Sequence, residues 1–362
     1  MHLQSIPALL LTCILTAGLR LTPAAAEVAQ RSEPMRADTT TNGDGELLVP
    51  EVAKVVQQLK PKTGSTVVAW SPDGKLLAAL GGLQQRVTLW DARTWKTVWE
   101  TVGDLGGGDA LAFSNDGRLL LVPTMNATAE DAHAALSLLD VAHGTIVGRV
   151  AAPFPNEEIV ENFARTIAVD RQGGLMAVIT IHSPGRPVAL YDTQDWALRG
   201  TVALEGDIPH SLAFSRDGTL AVGTVGGQIA LYDGHSRTLK RVIGEQSTAQ
   251  NAGPLAFSPD GKYLAAGTGG ADRIRIWNVG DGTLTRSYPS RKFPEGLAWS
   301  PDGRYLASAH FDGTMRLWPL SGDSEGQVVA RIEEGFFSVA FSPDGKFLAG
   351  GGVNGVVVVA IE

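Results

Sequence analysis

Four residues, Ser-Pro-Asp-Gly, recur at 71–74, 258–261, 300–303 and 342–345, and this repetition constrains the fold more than any other feature of the chain. Aligned on the first turn position, related stretches start at Ser71, Ser114, Asp170, Ser215, Ser258, Ser300 and Ser342. Their successive differences are 43, 56, 45, 43, 42 and 42 residues. A fixed period of about 40–45 residues built on short strands is the signature of a radial array of blades. In the first unit, Val67-Val68-Ala69-Trp70 reads as an apolar strand, 71–74 turns it, and Leu76-Leu77-Ala78-Ala79-Leu80 is the second strand. Arg86-Val87-Thr88-Leu89-Trp90 alternates and is expected as a half-exposed third strand, with an outer fourth strand over 97–102. The third strand recurs as RIRIW at 273–277, TMRLW at 314–318, VALY at 188–191 and IALY at 229–232.

The turn has a physical logic. Serine suits the first position of a type I turn, proline presets φ at the second, and glycine supplies the positive φ that closes the hairpin. Each blade needs one such hairpin between its two inner strands, so the turn is needed once per blade. Asn115-Asp116-Gly117, Arg216-Asp217-Gly218 and Gln172-Gly173 are worn copies. The expected fold is therefore all-β: a seven-bladed β-propeller of four-stranded antiparallel blades over residues 51–362. The last unit has strands near 336–340, 347–349 and 356–361 and lacks a fourth. The segment 54–59, KVVQQL, matches the fourth strands in type and is expected to complete the last blade, closing the ring without open edges.

Residues 1–26 differ from the repeats. A short apolar run at 9–19 is followed by Pro23-Ala24-Ala25-Ala26, with small residues where a signal peptidase reads them. The run is far shorter than the roughly 20 residues that span a bilayer. The reading is a signal peptide over 1–26, a flexible linker over 27–50 and a propeller over 51–362, exported to the periplasm or the medium. A lipoprotein through Cys13 is disfavoured, because Thr12 stands where a small residue is needed. Removing 1–26 removes Arg20 and no acid, so 29 Lys+Arg face 38 Asp+Glu, a net charge of −9. Such a surface repels phosphate backbones and argues against nucleic acid as a partner. Cys13 is the sole cysteine, which excludes disulfides, cysteine-ligated zinc and iron–sulfur clusters from the rest of the chain. The core must hold the fold alone.

The Phe-Ser-Pro-Asp-Gly turn, the Gly-Thr-Met-Arg-Leu-Trp third strand at 313–318 and Trp90-Asp91 resemble the WD40 family of β-propellers over essentially all of 51–362. The Gly-His pair of that family is missing from every unit. Its Trp-Asp end survives at Trp90-Asp91 and becomes Leu139-Asp140, Tyr191-Asp192, Tyr232-Asp233, Trp277-Asn278 and Trp318-Pro319 elsewhere. The resemblance points to the looser bacterial propellers, YVTN-like ones included, some of which are exported. It implies packing between blades rather than a His–Asp network as the source of stability.

The resemblance places the Ser-Pro-Asp-Gly turns on one face of the disc and the remaining loops on the other, where function is expected. Two of those loops are long: 123–133, and 152–163 within the 56-residue interval. They hold Glu130, Asp131, Glu157, Glu158 and Glu161 with Phe154 and Phe163, an acidic ridge suited to a protein partner with a basic patch. A solvated insertion is the bland alternative. His182, His210 and His310 with Arg291 are expected in loops on the same face as possible ligand residues. No catalytic grouping, phosphate loop or cofactor motif is legible. The leading expectation is a monomeric, non-catalytic interaction scaffold of the bacterial cell envelope. Two alternatives stay open. One is an exported lactonase- or quinoprotein-like enzyme with a metal or quinone at the central channel; the other is a small-ligand or glycan binder.

Overall fold

A computed structural model describes residues 53–60, 65–81, 86–103, 105, 110–124, 134–152, 164–180, 187–202, 204, 206–245, 252–269, 273–290, 292–321, 326–353 and 355–361. Among them are strands and turns and no helix. The strands form seven four-stranded antiparallel sheets, each ordered as the chain runs except the last. Blade 1 is Ser65–Trp70, Leu76–Gly81, Arg86–Asp91 and Thr97–Val102. Blades 2 to 6 open on Ala112–Phe113, Ala164–Val169, Pro209–Phe214, Ala252–Phe257 and Pro294–Trp299. Blade 7 is Phe336–Phe341, Phe347–Gly352 and Gly355–Ile361, completed by Ala53–Leu59. That strand runs antiparallel to Gly355–Ile361 from Ala53 opposite Ile361 to Leu59 opposite Val356. First strands of successive blades touch all the way round, and blade 7 touches blade 1, so the first strands are the inner wall of a closed ring.

The core is not inside any blade. Seven apolar clusters lie between seven pairs of neighbouring blades. Leu80, Val87 and Leu89 of blade 1 pack on Phe113, Leu120 and Leu139 of blade 2, for example. This corrects the expectation for the third strands. Arg86–Asp91 is buried at all four central positions rather than half exposed. The alternation distinguishes two neighbours, one per face, because each blade is covered on both sides. Outward apolar residues such as Val98 and Val147 belong to the fourth strands.

The inner hairpin is tied by its own side chains. Ser71 Oγ donates to Asp73 Oδ1 at 2.7 Å and accepts from Leu76 N at 2.9 Å. Ser114, Ser258, Ser300 and Ser342 repeat both bonds. The serines are buried. Their hydrogen bonds hold the carboxyls of Asp116 and Asp260 below the usual carboxylate range. The turns also meet each other. A methyl group placed on Gly74 would stand 3.4 Å from Pro343 Cδ, and one on Gly345 3.5 Å from Pro301 Cδ. Each proline thus rests on the glycine of the next blade's turn. Where the proline is lost, polar groups take over, and Asn115 Nδ2 donates to Asp170 O at 3.0 Å. In the turn of blade 3, after Asp170, the positive φ falls on Gly174 rather than on Gly173.

A second rule governs the outer turns, between third and fourth strands. One residue in each of five such turns takes positive φ: Trp95, Gly144, Trp196, Arg237 and Gly282. Large and small alternate with the strand of the preceding blade. Trp99 lies over Gly144, Arg237 over Gly200, and Arg241 over Gly282. Trp95 fills the closing seam, 5.5 Å from Phe347 and 6.2 Å from Trp70 between ring centres.

Candidate functional site

Each first strand begins on the loop face and ends in its Ser-Pro-Asp-Gly turn. Near its start the pairing slips by a residue in six of the seven blades, between Ser65/Val67, Ala164/Thr166, Pro209/Ser211, Ala252/Leu255, Pro294/Gly296 and Phe336/Ser338. These are β-bulges, and a bulge re-aims the residue it leaves unpaired. The bypassed residues are Thr66, Arg165, His210, Gly253 with Pro254, Glu295 and Phe337. Because first strands form the inner wall, the bulges ring the loop-face mouth of the central channel. The slip recurs at the same place in these six blades, while the side chains are all different.

The residues after the bulges hold neighbouring blades together. Ser338 Oγ accepts from Val68 N at 3.1 Å, and Ser211 Oγ donates to Ala252 O at 3.1 Å. Gly296 lets blade 6 approach blade 7, since a methyl there would meet Ser338 Cα at 3.0 Å. The bulged residues themselves reach across the rim. Arg165 Nη2 lies 3.2 Å from His210 Nε2. Phe337 meets Phe311 of blade 6 edge-on at 5.8 Å.

The Arg165–His210 contact fixes a protonation state. A guanidinium can only donate, so His210 Nε2 accepts and its proton sits on Nδ1. Nδ1 is buried without a partner. Burial first, then the Arg165 charge, push the imidazole down to about 4. His210 is therefore a neutral acceptor at neutral pH. It lies at the bulge of a first strand rather than in a loop, contrary to the expectation.

His310 also departs from that expectation. It is the last residue of the second strand of blade 6 and only 1% exposed. Trp318 Nε1 donates to Ser308 Oγ at 2.7 Å, which leaves the serine proton to be given to His310 Nε2, also at 2.7 Å. Blade 6 thus carries a Trp–Ser–His chain whose imidazole is a structural acceptor. Burial pushes it down to about 4, with Asp312 opposing and Arg316 adding to the shift. Sequence spacing concealed this, because Ser308 and His310 alternate onto one face of a strand whose burial is decided by the next blade.

The expected acidic ridge, Glu130, Asp131, Phe154, Glu157, Glu158, Glu161 and Phe163, lies outside the described residues, as do His182 and Arg291. Among the described residues no group of three His, Cys, Asp or Glu is placed to hold a metal. No described helix is long and apolar enough to cross a membrane. On the turn face a cleft of about 420 Å³ opens between blades 5 and 6, lined by Tyr263, Arg286, Trp299, Asp260 and Asp302 among others. Trp299 Nε1 is committed there to Ala256 O at 2.9 Å, and Asp260 and Asp302 to their own turn serines.

Residues 255–278, 283–319 and 327–359 match the family model for the WD domain, G-beta repeat. The matches are offset from the blades: 283–319 runs from the fourth strand of blade 5 to the third strand of blade 6. The WD repeat-containing protein SL1-17 of Schistosoma mansoni is 30% identical over 98 residues, 27% of this chain and 31% of that protein. The chain thus spans about a third of the length of the curated relative it matches. Seven blades closed on an N-terminal strand make this protein a β-propeller, and the stretches similar to the WD domain, G-beta repeat run through its blades 5 to 7.

Proposed function

We propose that the protein is a non-catalytic interaction scaffold that binds a protein partner through the loop face, opposite the Ser-Pro-Asp-Gly turns. The observation that carries this is the contrast between the two faces. The turn face repeats one contact, proline on glycine, wherever the turn keeps its proline, at Gly74, Gly117, Gly303 and Gly345. The loop face presents a different side chain at each equivalent bulge, with Arg165, Glu295 and Phe337 among them. A uniform face serves the ring, whereas a varied one suits recognition. The repeat family supports the reading, since WD40 propellers commonly bind proteins. The acids of the two long loops, Glu130, Asp131, Glu157, Glu158 and Glu161 with Phe154 and Phe163, belong to the same proposal and favour a partner with a basic patch. The apolar run at 9–19 and the alanines at 24–26 support export to the cell envelope.

The test is site-specific photocrosslinking in the native host, with the probe at Glu130, Glu158 and Phe337 and, as a control on the turn face, at Lys262. One adduct shared by the loop-face positions and missing at Lys262 is expected. Adducts at Lys262 alone, or none at any position, would overturn the reading.

A further inference from the structure

The rim of the channel holds a cation that no described carboxylate pairs. Arg165 is half-buried, and its one polar contact among the described residues is the neutral His210. Other arginines are paired by the protein itself. Arg86 meets Glu100 at 2.9 Å, Arg199 meets Asp192 and Asp195, and Arg304 meets Asp302. Arg241 is spent on the carbonyls of Gly280 and Asp281. Asp207, three residues before His210, turns Oδ1 to the backbone, accepting from Gly226 N at 3.1 Å and from Ile208 N at 2.7 Å, while its Oδ2 is buried with no partner among the described residues. It forms no ion pair with Arg165 among the described residues.

Three features make this more than an idle surface charge. The bulge aims Arg165 along the rim instead of into the sheet ladder. The contact to His210 uses one N–H of a five-donor fork, and no other described residue takes the rest, in a geometry that matches an oxyanion. The chain carries a formal net charge of −8, so a cation at the channel mouth that no described carboxylate pairs stands against the general field. His210 orients the fork without competing for it, because a neutral acceptor neither neutralises nor repels the guanidinium.

We propose that Arg165, oriented by His210, is a binding site for a small oxyanion, a carboxylate or a phosphate group, at the loop-face mouth of the channel. The site does not rest on the scaffold reading.

Titration calorimetry of the full chain at low ionic strength tests it, with inorganic phosphate and acetate as separate probes that distinguish the two anion classes. Saturable binding of at least one probe is expected. Loss of a charge-assisted pair weakens it about tenfold or more in R165Q. K262Q, on the turn face, is expected to bind as the parent does. R165K keeps the charge and loses the fork, so it falls between the two. Should R165Q fail to fold, R165K and the His210 ring resonances of the parent protein carry the test, since a bound anion shifts those resonances. Absence of saturable binding for both probes, unchanged binding in R165Q or R165K, or unmoved His210 resonances would overturn the proposal.

Discussion

Acidification should weaken the ring through His310. The imidazole is buried, accepts the Ser308 proton on Nε2, and lies down at about 4 in the fold. In the unfolded chain a histidine titrates near 6.5. The folded value is the lower of the two, so the unfolded state takes up the proton first. Stability is fully present above about 6.5 and is lost as pH falls from there towards about 4. The gap of about 2.5 units corresponds to about 3 kcal/mol once both states are protonated, and about 2 kcal/mol of it is lost between about pH 7 and 5. A proton on Nε2 also ends the bond from Ser308, whose hydroxyl still has to receive Trp318 Nε1. The assay is urea unfolding at pH 7 and at pH 5 for the parent and for H310Q, which offers an acceptor that does not titrate. H310Q should lose about 2 kcal/mol less than the parent over this interval. His210 carries a similar shift but is present in both proteins and cancels. Equal losses in the two proteins would refute the assignment of His310 as a buried neutral acceptor.

Other perturbations probe the seams. S308A leaves Trp318 Nε1 buried without an acceptor and should cost about 2 kcal/mol by urea midpoint at pH 7; a cost near zero would mean the Trp–Ser–His chain is idle. W95A removes the ring contacts to Trp70 and Phe347 at the closing seam and should cost about 2–3 kcal/mol. G144A forces a side chain onto a φ of 71° and places a methyl 2.7 Å from Trp99 Cδ2. A loss of about 2 kcal/mol with a shifted tryptophan emission is expected there. Deleting residues 51–60 strips the outer strand from blade 7 and exposes the edge of Gly355–Ile361. Aggregation on sizing columns is the expected result, and a soluble monomer with unchanged melting temperature would contradict it.

The propeller was legible because its period is local. A turn that needs serine, proline and glycine at fixed positions leaves the same trace in each repeat, and the missing fourth strand of the last blade pointed to KVVQQL at 54–59. The reading went wrong where burial depends on a neighbour distant in sequence. Arg86–Asp91 alternates as a half-exposed strand would, yet both its faces are covered by adjoining blades. His210 and His310 stand beside turn residues and look like loop groups. One is at a strand bulge and the other in a closed hydrogen-bond chain.

Sequence alone determined the number of blades, the place of each inner turn and the strand that closes the ring, because each follows from backbone preferences repeated at one spacing. Tertiary structure alone decided what faces what. The bulge shared by six of the first strands is a slip in pairing that no residue announces, and the meeting of Arg165 with His210 joins positions 45 residues apart in the chain. The same holds for Trp99 over Gly144 and Pro343 on Gly74. Such contacts depend on how one blade is rotated against the next, a quantity set by the packing of whole sheets around a closed ring rather than by any local stretch of residues.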